Sequence, residues 1–204
     1  MPLEAEPGGE VVLPQQVRAT WIALNEIRPF VRPALKAIDD LREKGFPPET
    51  KEEFQALHAA VSRLDNRLEM NALLEAPASH QVIVADFSLL ESIAAATRLP
   101  FLVKIALRRH ETRQKAKLQK MLDLEAAVKT QMAVNAVDLV VQKSKSLEIK
   151  VRRHPKFDTP TFKCISDNVK CMDGYGSRSA IYKGFCALAF GACIAKQLIP
   201  FTKG

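Results

Sequence analysis

A chain of 204 residues, 47% hydrophobic and 26% charged, has enough apolar material for one folded domain, or for one domain with an appendage. With 8 glycines and 12 prolines it is neither collagen-like nor low-complexity. Its net charge of +7 is unevenly spread: residues 1–100 hold ten Lys+Arg against fifteen Asp+Glu, and residues 101–204 hold twenty against eight. Such an imbalance makes the second half either a surface for phosphate, anionic lipid or an acidic protein, or a plain solvated basic face.

Residues 1–12 are acidic at their start and carry Pro and Gly. They show no charged-then-apolar run and no Arg-rich amphipathic pattern, so they read as a flexible arm without a secretory or transit signal. Pro14 suits the first turn of a helix. Trp21, Leu24, Val31, Leu35 and Ile38 then recur at helical spacing, with Pro29 and Pro33 predicting a kink or two shorter helices. Gly45-Phe46-Pro47-Pro48 ends the segment. Thr50 and Glu53 have the spacing of a capping box. Behind them Phe54, Leu57, Val61, Leu64 and Leu68 form a narrow seam, suited to an antiparallel partner; the first helix is the expected one.

Ala76–Ser79 is a break, and Val82–Leu99 is apolar and mainly helical in expectation, with Pro100 at its boundary and a short strand at Val82–Val84 as the alternative. From Phe101 to about Lys143 there is no Gly or Pro, which predicts a long helix of roughly 60 Å. Its ends are apolar and its middle basic, so it is expected to leave the body and dock at both ends. Leu147, Ile149 and Val151 alternate with charged residues, which predicts a strand. Pro155 and Pro160 would frame a turn, and Thr161–Ile165 would pair back as a second strand.

The last stretch, Ser179–Lys203, is the least polar in the chain, with no charge between Lys183 and Lys196. Ala187, Gly191 and Ala195 stand four apart and form a small-residue stripe that admits another helix closely. Ile181–Ile199 would span roughly 28 Å, near the ~30 Å of a hydrocarbon layer, with Lys183 and Lys196 at its ends. Three placements compete: a short spanning or half-inserted helix packed on other membrane helices, a buried helix of the molecule's own core, and an interfacial helix. The stripe favours the first.

Arg108, Arg109, Arg113, Lys115, Lys117 and Lys120 concentrate in the long helix, with Lys104 ahead of them and Glu111 the one acid among them. Cations on more than one side of a helix suit phosphates without base readout. No aromatic residue is present there to stack on single-stranded bases. Lys150, Arg152, Arg153, His154 and Lys156 repeat the theme.

Signs of catalysis are weak throughout. Asp173–Ser179 fails the dinucleotide-loop pattern and reads as a turn, with Ser177 or Ser179 capping the last helix. No two of the four histidines stand at i, i+4. Cys164/Cys171 and Cys186/Cys193 are both spaced C-x6-C, unlike zinc or thioredoxin pairs, and are expected as thiols, the second pair acting as small hydrophobic residues.

The expected fold is mostly α, in five parts: a flexible arm at 1–12; a helical hairpin or bundle at 13–100; a long helix with a basic waist at 101–146; a β-ribbon and turn at 147–178; and an apolar helix at 179–204, open to membrane insertion. The expected function is that of a non-catalytic accessory or scaffold subunit, anchored by its C-terminal helix in a multi-subunit assembly at an organelle inner membrane, such as the mitochondrial one. Ala187, Gly191 and Ala195 would contact a neighbouring subunit's helix, and Arg108, Arg109, Arg113, Lys115, Lys117 and Lys120 an anionic partner, with lipid and nucleic acid as the other partners the charge admits. No cofactor or metal is expected. The alternative is a nucleic-acid-associated structural protein of ribosomal or nucleocapsid type, in which the basic helix holds phosphates and the tail is core.

Overall fold

The computed structural model describes residues 15–72, 101–153, 159–175 and 180–199. The expected flexible arm, the Val82–Leu99 segment, the Pro155 turn and the Ser177 or Ser179 cap lie outside these residues. The described residues form five helices: α1 (Gln15–Lys44), α2 (Lys51–Ala72), α3 (Phe101–Arg153), α4 (Thr159–Tyr175) and α5 (Ala180–Leu198), with a 3-10 turn at Pro48–Thr50.

α1 is one helix despite Pro29 and Pro33. Both prolines lie on its exposed face, where the carbonyls they leave unbonded can meet water. The opposite face is the apolar one, from Leu24 and Ile27 through Val31 to Ile38 and Leu41. Gly45 ends the helix at φ 89°, a conformation only glycine adopts readily.

The α2 seam is buried along its whole length: Phe54, Leu57, Val61, Leu64 and Leu68 are all sealed from solvent. It serves α1 and α3 together rather than α1 alone. On the α1 side, Arg28 Nη2 donates to Leu68 O at 2.7 Å, Arg32 pairs with Glu69, and His58 Nε2 meets Asp39 Oδ1 at 2.9 Å. On the α3 side, Lys150 Nζ lies 3.4 Å from Glu53 Oε1. The capping box is therefore not made as expected. Glu53 faces Lys150, and the Thr50 hydroxyl is fully buried without a hydrogen-bond partner.

The expected β-ribbon is replaced by helix. α3 continues through 147–153, and α4 occupies 159–175. The alternation at Leu147, Ile149 and Val151 misleads because i and i+4 share a face in both geometries. Leu147 and Val151 are sealed in the core, whereas Ile149 between them is half exposed. Glu148 accepts from Arg152 one turn on, at 2.7 Å, and from Asn168 of α4 at 2.9 Å. In α4 the buried positions are Thr161, Cys164, Ile165 and Asn168, a helical set.

α4 and α5 form an antiparallel hairpin closed by two disulfides, Cys164–Cys193 and Cys171–Cys186, with Cα–Cα distances of 5.8 and 5.7 Å. Tyr175 and Tyr182 stack at 5.5 Å in the same register, one turn nearer the loop. The expectation of free thiols is thus overturned. Two cysteines seven apart share one face of a helix, and two such helices running antiparallel bring both pairs together at once.

α5 is the interior of the body. It packs against α1, α3 and α4, and Phe190, Ile194, Leu188 and Leu198 are almost fully buried. Phe185 meets Phe30 of α1 edge-on at 4.6 Å. The close approaches occur at its glycines. A Cβ at Gly184 would collide with Val137 of α3, and one at Gly191 would stand 3.0 Å from Leu57 of α2. Among the described residues no helix is long and apolar enough to cross a membrane.

Candidate docking surface

The small-residue stripe is inside the molecule. Ala187 and Ala195 are fully buried and Gly191 faces Leu57 and Ile38. At Gly191 the neighbours belong to this chain's own α1 and α2, and with Ala187 and Ala195 buried the stripe presents no surface to another subunit. The close approach at Gly191 is to helices of the same chain.

The basic helix is outside. α3 has 53 residues, about 80 Å at 1.5 Å per residue, and the described side chains of α3 that join the core lie in its second half. Ala126 is the first described position of α3 that is buried, followed by Thr130, Ala133, Val137, Val140, Ser144, Leu147 and Val151 at helical spacing. Between Arg108 and Glu125 no described side chain is buried. Arg108, Arg109, Arg113, Lys115, Lys117 and Lys120 are all exposed there. The structure thus brings these six together along about 18 Å of one rod, many of them within a Debye length (~8 Å at physiological salt) of the next. Their fields add, and the rod's local sequence favours helix by itself: Ala, Leu, Lys, Gln and Arg are strong helix formers. Gln119 Nε2 donates to Asp123 Oδ1 at 2.8 Å, and Lys129 pairs with Glu125, each one turn apart. The second basic cluster is different, because Lys150 and Arg152 are already engaged by Glu53 and Glu148.

Sequence reasoning missed an apolar strip on this rod. Met121, Leu124, Val128 and Met132 follow one another in steps of three, four and four, and are 69%, 66%, 50% and 38% exposed. The strip runs into an open cleft of about 510 Å³ between α2 and α3, lined by Arg63, Met132, Asn135, Leu139 and Gln142 among others. The steps were visible in the sequence, but nothing there separated them from the core-facing positions of the same helix.

Among the described residues no group of three or more His, Cys, Asp or Glu is placed to hold a metal ion. All four cysteines are in disulfides. Comparison of the chain with family models, curated proteins and solved structures returns no match in any of the three.

Proposed function

We propose that the protein is a non-catalytic accessory subunit of a larger assembly, in which the helical body is a mount and the projecting half of α3 is the attachment element, held by an acidic protein surface. The observation that carries this reading is the exposure of Arg108, Arg109, Arg113, Lys115, Lys117 and Lys120 on a helix rooted in the core from Ala126 onward. A rod anchored by a 28-residue packed half transmits its orientation rigidly, which suits a scaffold.

Attachment through the C-terminal helix loses its support, because that helix fills the body's own interior. The two disulfides support residence in a compartment that lets such bonds persist, which agrees with an organelle lumen or extracellular space better than with a reducing cytosol. The second reading, phosphate binding to nucleic acid, draws on one observation: the cations are exposed on more than one side of α3.

The test is charge reversal. The triple variant Arg109→Glu, Arg113→Glu, Lys117→Glu should release the protein from its native-size complex on gel filtration, while its unfolding temperature stays within about 6 °C, as expected for surface changes of under ~0.5 kcal/mol each. An unchanged elution position would sink the proposal. Tight heparin or RNA binding whose salt slope drops by about three in the triple variant would favour the phosphate reading instead.

A further inference from the structure

The apolar strip is not explained by the cationic stretch beside it. Met121, Leu124 and Val128 are large apolar side chains left half or more exposed in succession along α3. From Met121 to Leu139 the strip and cleft form one straight track of 18 residue steps, about 27 Å. A track of that length and spacing is what the apolar ridge of a partner helix fills, and exposed Met and Leu adapt readily to such a ridge.

The charges beside the track specify the partner further. Arg113, Lys117 and Lys120 border its upper part on one side by helical position, and Arg63 stands across the cleft at its lower part. None of these four has an ion-pair partner among the described residues. On the other side Glu125 and Lys129 neutralise each other, and among the described residues Asp138 is the single acid lining the cleft. A second copy of this chain laid on the track would set cations against cations in either direction, an arrangement that costs several kcal/mol.

We infer that the Met121–Leu139 track is a docking groove for one amphipathic α-helix of an acidic partner, its apolar ridge on Met121, Leu124, Val128 and Met132 and its carboxylates against Lys117, Lys120 and Arg63. This rests on the reading of α3 as the attachment element, and adds the form and chemistry of what it holds.

Two designed helical peptides test it, identical in a Leu ridge at i, i+3, i+7 and i+11 and differing only in flanks of Glu or of Lys. Fluorescence anisotropy with the intact protein should show the Glu peptide binding at least tenfold more tightly than the Lys peptide, with the difference shrinking as salt is raised. Leu124→Ser with Val128→Ser should weaken the Glu peptide at least tenfold at unchanged unfolding temperature, because both side chains are exposed in the free protein. Equal binding of the two peptides, or none, overturns the inference. So does a photo-cross-linker at position 121 that attaches to residues 73–100 of the same chain, or to a second copy, instead of the peptide. If the charge-reversed triple variant leaves the complex while the Leu124→Ser, Val128→Ser variant remains in it, the subunit reading stands and the groove fails.

Discussion

Phe190→Ala should destabilise the protein by about 3–5 kcal/mol, the range for removing a buried aromatic ring that its surroundings cannot replace. For a body of this size that is a fall of roughly 6–20 °C in unfolding temperature. The expectation follows from position. Phe190 is 2% exposed, within the buried apolar cluster and in the middle of a helix that packs against α1, α3 and α4, so its removal leaves a space that a close-packed interior refills poorly. The neighbouring Ala189 is exposed, and Ala189→Ser should change stability by less than about 0.5 kcal/mol. The contrast between adjacent residues is the informative part. A helix surrounded by lipid or by another subunit would lose little from either change in the isolated protein. Calorimetry or thermal circular dichroism of the two variants reads it directly.

Reduction should have an effect of similar size. The inner bond, Cys171–Cys186, spans 15 residues, and the outer, Cys164–Cys193, spans 29 and encloses it. In the chain-entropy model a loop of the inner size contributes about 3 kcal/mol, and the outer bond adds less than it would alone because part of its loop is already closed. Together they contribute about 4–6 kcal/mol, which corresponds to roughly 8–24 °C. Melting with and without reductant should differ by that amount, and a thiol assay on the unfolded protein should find no free thiol before reduction and four after it. A melting temperature indifferent to reductant would show that the hairpin is held by its packing alone. Replacing all four cysteines by Ser should reproduce the reduced protein or fall below it, since Cys164 and Cys186 also fill buried space.

What the sequence made legible divides along physical lines. The α2 seam was readable because five apolar residues in steps of three and four admit one geometry, and all five are buried. The long helix was readable because nothing in it can break a helix, and its cations proved exposed, as long charged side chains are even beside apolar neighbours such as Met121 and Leu124. The strand at Leu147–Val151 was misread because a run of five residues cannot separate a period of two from one of four; the Glu148–Arg152 pair was the signal that favoured helix. The last helix was misplaced for a subtler reason. Apolar content and a small-residue stripe report that another helix comes close, and they are silent on whether that helix belongs to the same chain. Gly184 against Val137 and Gly191 against Leu57 answer that question, and neither partner is near in sequence. The disulfides were legible in principle: equal seven-residue spacing in two successive helices is what an antiparallel hairpin with two cross-links requires. The apolar strip at Met121–Met132 was not, because its exposure depends on where α1, α2 and α5 stop covering α3.

Membership of α5 in the protein's own interior, and the freedom of the basic half of α3 from it, are tested together by native-state hydrogen exchange on the purified protein in plain buffer. Amides of α5 from Phe185 to Ala195 should be among the slowest in the chain, opening only with global unfolding, while those from Arg108 to Lys120 exchange orders of magnitude faster. If the α5 amides exchange as fast as the basic stretch in buffer, and become protected only when lipid vesicles or a partner are added, the helix is a surface element and the architecture described above is wrong.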